Sequence, residues 1–427
     1  MNRLPGKVAL ITGGNEPGNT VAGVDSLDPA SAVQGLSSPA LDLFDILAEP
    51  SHLEDPYPFY AWLRDNRPVH TDPDGTVYLS RYEDAVHLRD PNLRTASVDD
   101  AGSFALHTIN QSLIKAVDPR HAELRRVAGV AFERRLLARA AERMRQTAER
   151  LAEQLAAAMA AGATADVHAE YSLPFTQRAA AIVFGIPDED FDLLAAMPAR
   201  IFPRLYPKTT PAAWAHADDA ARAMYTYMED TIRCRGFTPG SGFARLAQAS
   251  GTVPDDEITR LCWFLWLGSY TSAMAAIDLA VLTLTDHHHT MPLLHQDADA
   301  WVAEALRYRS PHVINSANLT TRREMVIGAT SLPAHTPVRF LLASMNRDET
   351  VFQQADTFDP QRTGRARHIA FGKGVHSCIG TQLARMELAT ALTVLAARLP
   401  RLTLADQPTW SPYATQRLCT RLSVASA

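Results

Sequence analysis

The amino-acid sequence predicts a mostly α-helical protein with a small β region. Helical patterns of apolar residues recur from about residue 55 to about residue 310. Strand character is concentrated after that point, in the stretch from residue 315 to residue 346. Strands and helices do not alternate along the chain, so the sequence gives no support to a βαβ layout with a parallel sheet.

The N-terminal part is expected to be a loosely structured leader over residues 1–50, followed by one folded domain over residues 51–427. The leader is rich in Gly, Pro, Ser and Asp and has no helical period after Thr12. Within it, "GKVALITGGNEPGN" looks like the strand and glycine turn of a nucleotide-binding unit. Pro17, however, stands where a dinucleotide turn needs a glycine and removes a backbone N–H that a phosphate requires. A nicotinamide enzyme is therefore not expected.

The domain is expected to begin with a helix over residues 55–69. Two short strands flank the Asp-Gly turn of residues 72–75, which favours a tight hairpin. Residues 81–90 are predicted as helix. Further helices are predicted at 118–132, 136–161, 261–284 and 379–398.

The segment 261–284 is the most apolar of these, with Asp278 as its one charged residue. Its length would suffice to span a bilayer. Its middle is polar, and no cluster of Lys or Arg frames its ends. We therefore expect a long buried helix of a water-soluble protein.

Composition and charge narrow the class of protein. Apolar residues make up 46% of the 427 and charged residues 21%, and the net charge is −6. An acidic chain of this kind does not suit nucleic acid or an anionic membrane as partner. The four cysteines are widely spaced and no secretory leader precedes them, so free thiols in a reducing cytoplasm are expected.

The stretch "FGKGVHSCIGTQLARMEL", residues 371–388, carries the chemistry. Cys378 lies in a loop framed by Gly372, Gly374 and Gly380 and opens directly into a helix. Backbone N–H groups at a helix N-terminus favour a thiolate and lower the pKa of the cysteine. A thiolate held in this way is a ligand for a soft metal centre such as haem iron.

This loop resembles the Phe-Gly-x-Gly-x-His-x-Cys-x-Gly signature of the cytochrome P450 family of haem-thiolate monooxygenases, in particular its soluble bacterial members. Glu304-x-x-Arg307, followed by Arg362, resembles the family's buried ion network. The resemblance covers about residues 50–427. It implies the family's fold, a triangular single domain with a long central helix over the haem.

The resemblance also implies residue roles around haem b. Cys378 would ligate the iron, and opposite charge would hold the haem propionates. The implied cofactor-binding residues are His121, Arg125, Gly268, Phe371, Gly372, His376, Cys378, Gly380 and Ala384.

Two positions depart from the family's pattern. The oxygen-activation motif reads Leu267-Gly268-Ser269-Tyr270-Thr271, so Tyr270 replaces the acid before the alcohol of Thr271. A phenol, with a pKa of about 10, rarely ionises near neutral pH, so protons would have to arrive through water, Thr271, Ser272 or the substrate. Either a rerouted water chain supports hydroxylation, or slow proton delivery favours oxidative coupling or ring closure.

The second departure concerns the arginine that family members place about a dozen residues after the Glu-x-x-Arg motif to bind a propionate. Asn318 or Leu319 stands at that position, with Arg322 nearby. What anchors the haem on this side is left open by the sequence.

The substrate pocket has two sets of candidate residues. Trp263, Trp266, Leu267 and Tyr270 form a stripe at helical spacing. This stripe is either core packing or the wall of a pocket for a flat or aromatic substrate. His312 and Ile314 are the next candidates.

The resulting hypothesis is a cytoplasmic enzyme that activates dioxygen at a Cys378-ligated iron to oxidise a small organic substrate in natural-product biosynthesis. Electrons would come from a ferredoxin-type donor and its reductase, meeting Lys373, Arg365 and Arg367 near the cysteine loop. Alternatives are a non-catalytic haem-binding ligand sensor or a peroxide-driven oxidase.

Overall fold

Helices dominate the chain in a computed structural model, which describes residues 41–100, 102–160, 162, 164–205, 211–249, 253–413 and 415–426. The strand and glycine turn expected at residues 8–19 lie outside the described residues. The helices are α1 Leu43–Leu47, α2 Pro50–Glu54, α3 Tyr57–Asn66, α4 Phe104–Asn110, α5 Arg120–Ala128, α6 Arg134–Ala160, α7 Leu173–Phe184, α8 Phe191–Leu205, α9 Pro211–Arg233, α10 Gly242–Ala247, α11 Asp255–Ser269, α12 Thr271–Asp286, α13 Met291–Gln296, α14 Ala298–Tyr308, α15 Leu342–Met345 and α16 Thr381–Arg398.

The strands are short and join distant parts of the sequence. They are β1 Val69–Thr71, β2 Val77–Leu79, β3 Leu93–Thr95, β4 Ala165–Asp166, β5 Leu319–Thr321, β6 Met325–Ile327, β7 Thr330–Leu332, β8 Pro337–Phe340, β9 Leu402–Leu404, β10 Thr409–Trp410, β11 Cys419–Arg421 and β12 Ser423–Ser426.

The largest sheet has five strands in the order β1-β2-β8-β5-β3. The early hairpin β1–β2, turned at Gly75 with φ 83°, pairs in parallel with the late strand β8. The sequence placed most strand character after residue 310, and the structure shows that the earlier strands complete the same sheet. Residues Tyr82–Arg89, expected to be α-helical, form a 3₁₀ helix.

Part of the segment that the sequence assigned to the leader has regular structure. Residues 41–50, assigned to the leader, contain α1 and the first residue of α2. The Asp42 side chain accepts from the N–H of Asp45 and caps α1, and the N–H of Leu43 donates to Asp72 Oδ1 at 3.0 Å. These bonds fix the segment to the β1–β2 hairpin.

The central helix expected over residues 261–284 is interrupted. Helix α11 ends at Ser269, Tyr270 has φ −117° and ψ −29°, and α12 begins at Thr271. The run from Gly268 to Ser272 consists of residues with modest or poor helix propensity, and Ser269 Oγ donates back to the carbonyl of Trp266 at 2.8 Å. Local competition for backbone groups accounts for the break.

The pair α11–α12 lies in the core. Every apolar side chain of α12 is buried, and α12 contacts α7, α14 and α16. Asp255–Asp286 is the one stretch among the described residues that is long and apolar enough to span a membrane, and 83% of its most apolar window is buried inside the protein. Such burial is typical of a core helix.

Candidate functional site

The cysteine loop is held by its own backbone. The N–H of Cys378 donates to the carbonyl of Phe371 at 2.8 Å, which closes the loop immediately before α16. Gly372 and Gly374 have φ values of 69° and 80°, which favour glycine. A Cβ at Gly374 would lie 2.3 Å from the carbonyl oxygen of Leu88, so no larger residue fits there without a backbone shift.

The environment of the Cys378 thiol differs from the expectation in one respect. Burial raises its pKa, while the backbone N–H of Gly380 and the Thr381 hydroxyl act in the opposite direction. The helix N-terminus therefore favours the thiolate, as argued from sequence, but burial is the larger effect. Cys378 nevertheless retains solvent-accessible surface. A bound metal ion deprotonates a coordinating thiol in such a setting.

Basic side chains gather on one side of the cysteine loop. The rings of His121 and His376 are 4.2 Å apart, and Arg125 Nη2 lies 3.5 Å from Ser377 Oγ. Burial lowers the pKa of both histidines, in the case of His376 to about 4. His121 Nε2 is buried and makes no hydrogen bond among the described residues. This arrangement fits an anionic group between the two histidines and the arginine.

These features fit haem b. The Cys378 thiol is accessible, and Gly372 and Gly380 add no side chains to the loop beside it. The buried His121 Nε2, which has no hydrogen-bond partner among the described residues, is available to a carboxylate. Phe371 and Ala384 are half-buried at the loop and in the first turn of α16. Cys378 would hold the iron, and the basic residues would hold the propionates.

A buried ion network lies beneath this loop. Arg307 donates through Nε and Nη2 to both oxygens of Glu304, at 2.8 and 2.7 Å, and Arg362 Nε donates to Glu304 Oε1 at 3.0 Å. Arg307 also donates to the carbonyls of Asn346 and Ala355. The network therefore ties α14 to the chain segment that leads into the cysteine loop.

The central helix carries small residues around its break. Gly268 is exposed and a Cβ placed there would meet nothing within 4 Å, and Ser272, four residues further on, is half-buried. Gly268 lies in the last turn of α11 and Ser272 in the first turn of α12, on either side of the break at Tyr270. Thr271 is 8% exposed. Thr271 and Ser272, both named from the sequence as possible proton carriers, are thus adjacent hydroxyls in the first turn of α12.

The aromatic stripe lies on the other side of this helix. Trp266 is two residues from Gly268, which is about 200° around a helix. Trp263 and Trp266 are 0% exposed, and their indole N–H groups donate to the carbonyls of Ala221 in α9 and Leu194 in α8, both at 3.1 Å. For Trp263 and Trp266 these contacts favour core packing against α8 and α9 over the pocket-wall interpretation, and Leu267 is likewise buried.

Tyr270 is part of the same packing. Its hydroxyl donates to the carbonyl of Ala195 in α8 at 2.9 Å, and burial raises the pKa of the phenol. A phenol that is buried, bonded to a backbone carbonyl and harder to ionise than usual cannot exchange protons readily with solvent. Tyr270 therefore contributes to the packing of the central helix against α8.

A polar pair marks the segment after α14. His312 is half-buried, and Gln416 Nε2 lies 3.1 Å from its Nδ1. Burial lowers the pKa of His312 to about 4, so the ring is neutral at pH 7. Ile314, the other candidate from this segment, is 2% exposed and bridges to Leu341. His312 is thus the better placed of the two to meet a substrate.

The chain is similar to known proteins over most of its length. A family model described as cytochrome P450 matches residues 281–412. Cytochrome P450 BJ-3 of Bradyrhizobium diazoefficiens is 31% identical over 421 residues, covering 92% of this chain and 98% of the relative. Beta-dihydromenaquinone-9 omega-hydroxylase of Mycobacterium bovis is 30% identical over 387 residues, covering 88% of this chain and 77% of the relative.

Solved structures agree with these sequence relatives. P450BioI in complex with hexadec-9Z-enoic acid ligated acyl carrier protein superimposes with a TM-score of 0.81 at 25% identity, covering 88% of this chain and 99% of that one. CalO2 gives the same TM-score and identity, with coverage of 91% and 99%. The fold expected from the cysteine-loop resemblance is confirmed.

Proposed function

The chain belongs to the cytochrome P450 family and is a haem-thiolate monooxygenase that uses haem b, and on this premise we propose that it hydroxylates an extended, largely aliphatic small molecule in a biosynthetic pathway of the cytoplasm. The division of the central helix into two faces carries this proposal. The indole N–H groups of Trp263 and Trp266 are bonded to α9 and α8, whereas a Cβ placed at Gly268 would meet nothing within 4 Å. At Gly268 the helix offers no ring on which a flat aromatic substrate could stack, which favours an aliphatic chain.

Two relatives are consistent with an aliphatic substrate. The mycobacterial relative is named for hydroxylation at the omega position of a dihydromenaquinone, and P450BioI was solved with a hexadecenoic acid carried by acyl carrier protein. In both names the group attacked or bound is a hydrocarbon chain. We extend that chemical class to this chain, with the neutral pair His312–Gln416 as the hydrogen-bonding point for a polar end of the substrate.

In this mechanism haem b, when bound, supplies the redox chemistry that activates dioxygen. Cys378 holds the iron, and Ser272 and Thr271 hold protons and water at the face of the central helix. Tyr270 takes no part in proton transfer because its hydroxyl is bonded to Ala195. A hydroxyl can pass a proton along a hydrogen bond without ionising fully, so hydroxylation remains accessible without an acid in the motif.

Coupled turnover tests the roles of these hydroxyls. Ser272→Ala should increase the hydrogen peroxide released per electron pair and reduce the hydroxylated product, and Thr271→Val should do so less. Tyr270→Asp should change neither the hydrogen peroxide released per electron pair nor the amount of hydroxylated product, because the carboxyl would replace a packing residue. A large gain in hydroxylation by Tyr270→Asp would contradict this assignment and favour an impaired relay, with coupling or ring closure as the natural reaction.

The electron donor is proposed to be a ferredoxin-type protein served by its own reductase. Arg367 is exposed and Lys373 half-buried near the cysteine loop, and both lie over the ring of Tyr82 at 6.0 and 5.6 Å. Arg365, half-buried, donates to the carbonyl of Arg362. Reversing the charge of Arg367 and Lys373 should slow electron transfer, more at low salt than at high salt. Unchanged donor-dependent rates would exclude this docking surface.

A peroxide-driven oxidase is the second candidate, favoured by the lack of an acid before Thr271. Turnover with hydrogen peroxide alone, compared with turnover supported by the donor chain, separates the two. A faster donor-supported rate is expected. The sensor hypothesis is set aside because the family consists of oxidising enzymes and the matched relatives include a hydroxylase.

A further inference from the structure

Lys115 is a buried cation without a carboxylate partner among the described residues. Its side chain is 9% exposed, and Nζ donates to the carbonyl of Ala96 at 2.6 Å. Lysine is almost never this buried unless it is paired with an anion. One neutral carbonyl uses a single donor of the three on the ammonium group and leaves its charge uncompensated.

The ammonium group of Lys115 is bonded to a residue that lies beside residues 318–319. The N–H of Ala96 donates to the carbonyl of Asn318 at 2.7 Å, and Thr95 pairs with Leu319 between β3 and β5. Thr95 Oγ1 in turn donates to the carbonyl of Lys115 at 2.9 Å. Lys115 therefore lies against residues 318–319, the place at which the family's propionate-binding arginine is missing from this sequence.

The surroundings of Lys115 are rich in positive charge. Arg339 on β8 is close enough to lower the pKa of Lys115, which burial already lowers, to about 8. Lys115, Arg125 and His121 all lower the pKa of His376. Among the described residues neither Lys115 nor Arg339 forms an ion pair. Cations gathered in a low-dielectric region repel one another strongly unless an anion lies between them.

We propose that Lys115, supported by Arg339, binds a propionate of the haem and replaces the arginine that is absent from residues 318–319. Arg322, the nearest arginine in sequence, is exposed, and its main-chain N–H is bonded to Asn92. The haem propionates would then be held by Lys115 together with Arg125, His121 and His376. This inference rests on haem binding and does not depend on the substrate.

The test uses Lys115→Gln, which keeps a donor for the carbonyl of Ala96 and removes the charge. Transfer of haem from the purified holoenzyme to apomyoglobin should become about tenfold faster or more, as expected for the loss of one charge-assisted hydrogen bond. The haem reduction potential should fall, because an unneutralised propionate favours ferric iron. Lys115→Arg should restore both values, and Arg322→Gln should leave both at the wild-type level.

Haem dimethyl ester distinguishes propionate binding from a structural role. Its propionates carry no charge, so the difference in haem transfer between wild type and Lys115→Gln should vanish when both are reconstituted with it. A difference of the same size with haem and with the ester would overturn the proposal and make Lys115 a support for Ala96. So would wild-type transfer rate and potential in Lys115→Gln. If Lys115→Gln takes up no haem, the same comparison is made with Arg339→Gln.

Discussion

The cysteine loop and the central helix contribute to the same site but are fixed by different means. The loop is defined by its backbone, through positive φ values at Gly372 and Gly374 and the bond from Cys378 to Phe371. The helix is oriented by side chains, since Trp263 and Trp266 donate to carbonyls of neighbouring helices. A substitution in the loop should therefore act through backbone geometry, whereas one in the helix should act through packing.

The largest effect is expected from the network that supports the loop. Glu304→Gln removes the charge that two buried arginines share, and breaking a buried ion pair costs about 3–5 kcal/mol. We expect little holoenzyme and a matching decrease in the free energy of unfolding measured with guanidinium. Glu142→Gln, at an exposed ion pair with Arg145, is the control and should resemble wild type. Equal behaviour of the two variants would refute a supporting role for the network.

The next largest difference is expected between two glycine substitutions, one in the cysteine loop and one in the central helix. Gly374→Ala brings a Cβ to within 2.3 Å of a backbone oxygen at a positive φ, so the loop must distort and haem content should fall sharply. Gly268→Ala places its Cβ in open space within a helix, where alanine is favoured by about 1 kcal/mol. Its fold should be at least as stable as that of wild type, so any loss of haem should be smaller than in Gly374→Ala, although substrate affinity changes. Comparable haem loss in both variants would contradict the view that backbone geometry fixes the loop and side-chain packing fixes the helix.

A smaller effect depends on pH and concerns His312. Its pKa of about 4 in the folded protein is below the value of about 6.5 expected when unfolded, so the unfolded state binds the proton more readily. The stability that neutral His312 provides is complete above about pH 6.5 and is lost as pH falls toward 4, by about 1.4 kcal/mol per pH unit. Unfolding of His312→Gln should show a correspondingly weaker pH dependence over this window. An identical dependence in both proteins would place His312 in solvent.

The smallest effect is expected from Tyr270→Phe. It deletes the hydroxyl bonded to Ala195 and should lower the free energy of unfolding by about 0.5–1.5 kcal/mol. The ratio of product to hydrogen peroxide should stay at the wild-type value. A marked rise in peroxide with unchanged stability would show that the phenol belongs to the proton path after all.

The difference between the cysteine loop and the central helix also explains which features could be predicted from the sequence. The cysteine loop has its determinants within ten consecutive residues, so it could be recognised through the family resemblance. Glu304 and Arg307, one helical turn apart, form a common pattern that became informative only beside that loop. The stripe of Trp263 and Trp266 was visible, but periodicity does not say which face meets which neighbour. That depended on the carbonyls of α8 and α9.

The environment of Lys115 and the interruption at Tyr270 could not be predicted from the sequence, because both depend on contacts between distant parts of the chain. The environment of Lys115 combines residues near 96, 318 and 339, which no short pattern connects. The interruption at Tyr270 reflects competition between weak local preferences and tertiary packing, and neither alone decides the outcome. Long-range pairing also explains why the early hairpin could not be assigned to the late sheet.

The interruption at Tyr270 also changes where the partial charges of the helix dipole lie. An unbroken helix from Asp255 to Asp286 would have its partial charges at its two ends, far from Gly268. Because the helix is broken, the first turn of α12 brings a partial positive charge to Thr271 and Ser272, in the middle of the protein. Negative charge that develops beside these hydroxyls during turnover would be stabilised by the peptide dipoles of α12, at a position where the sequence provides no acidic side chain.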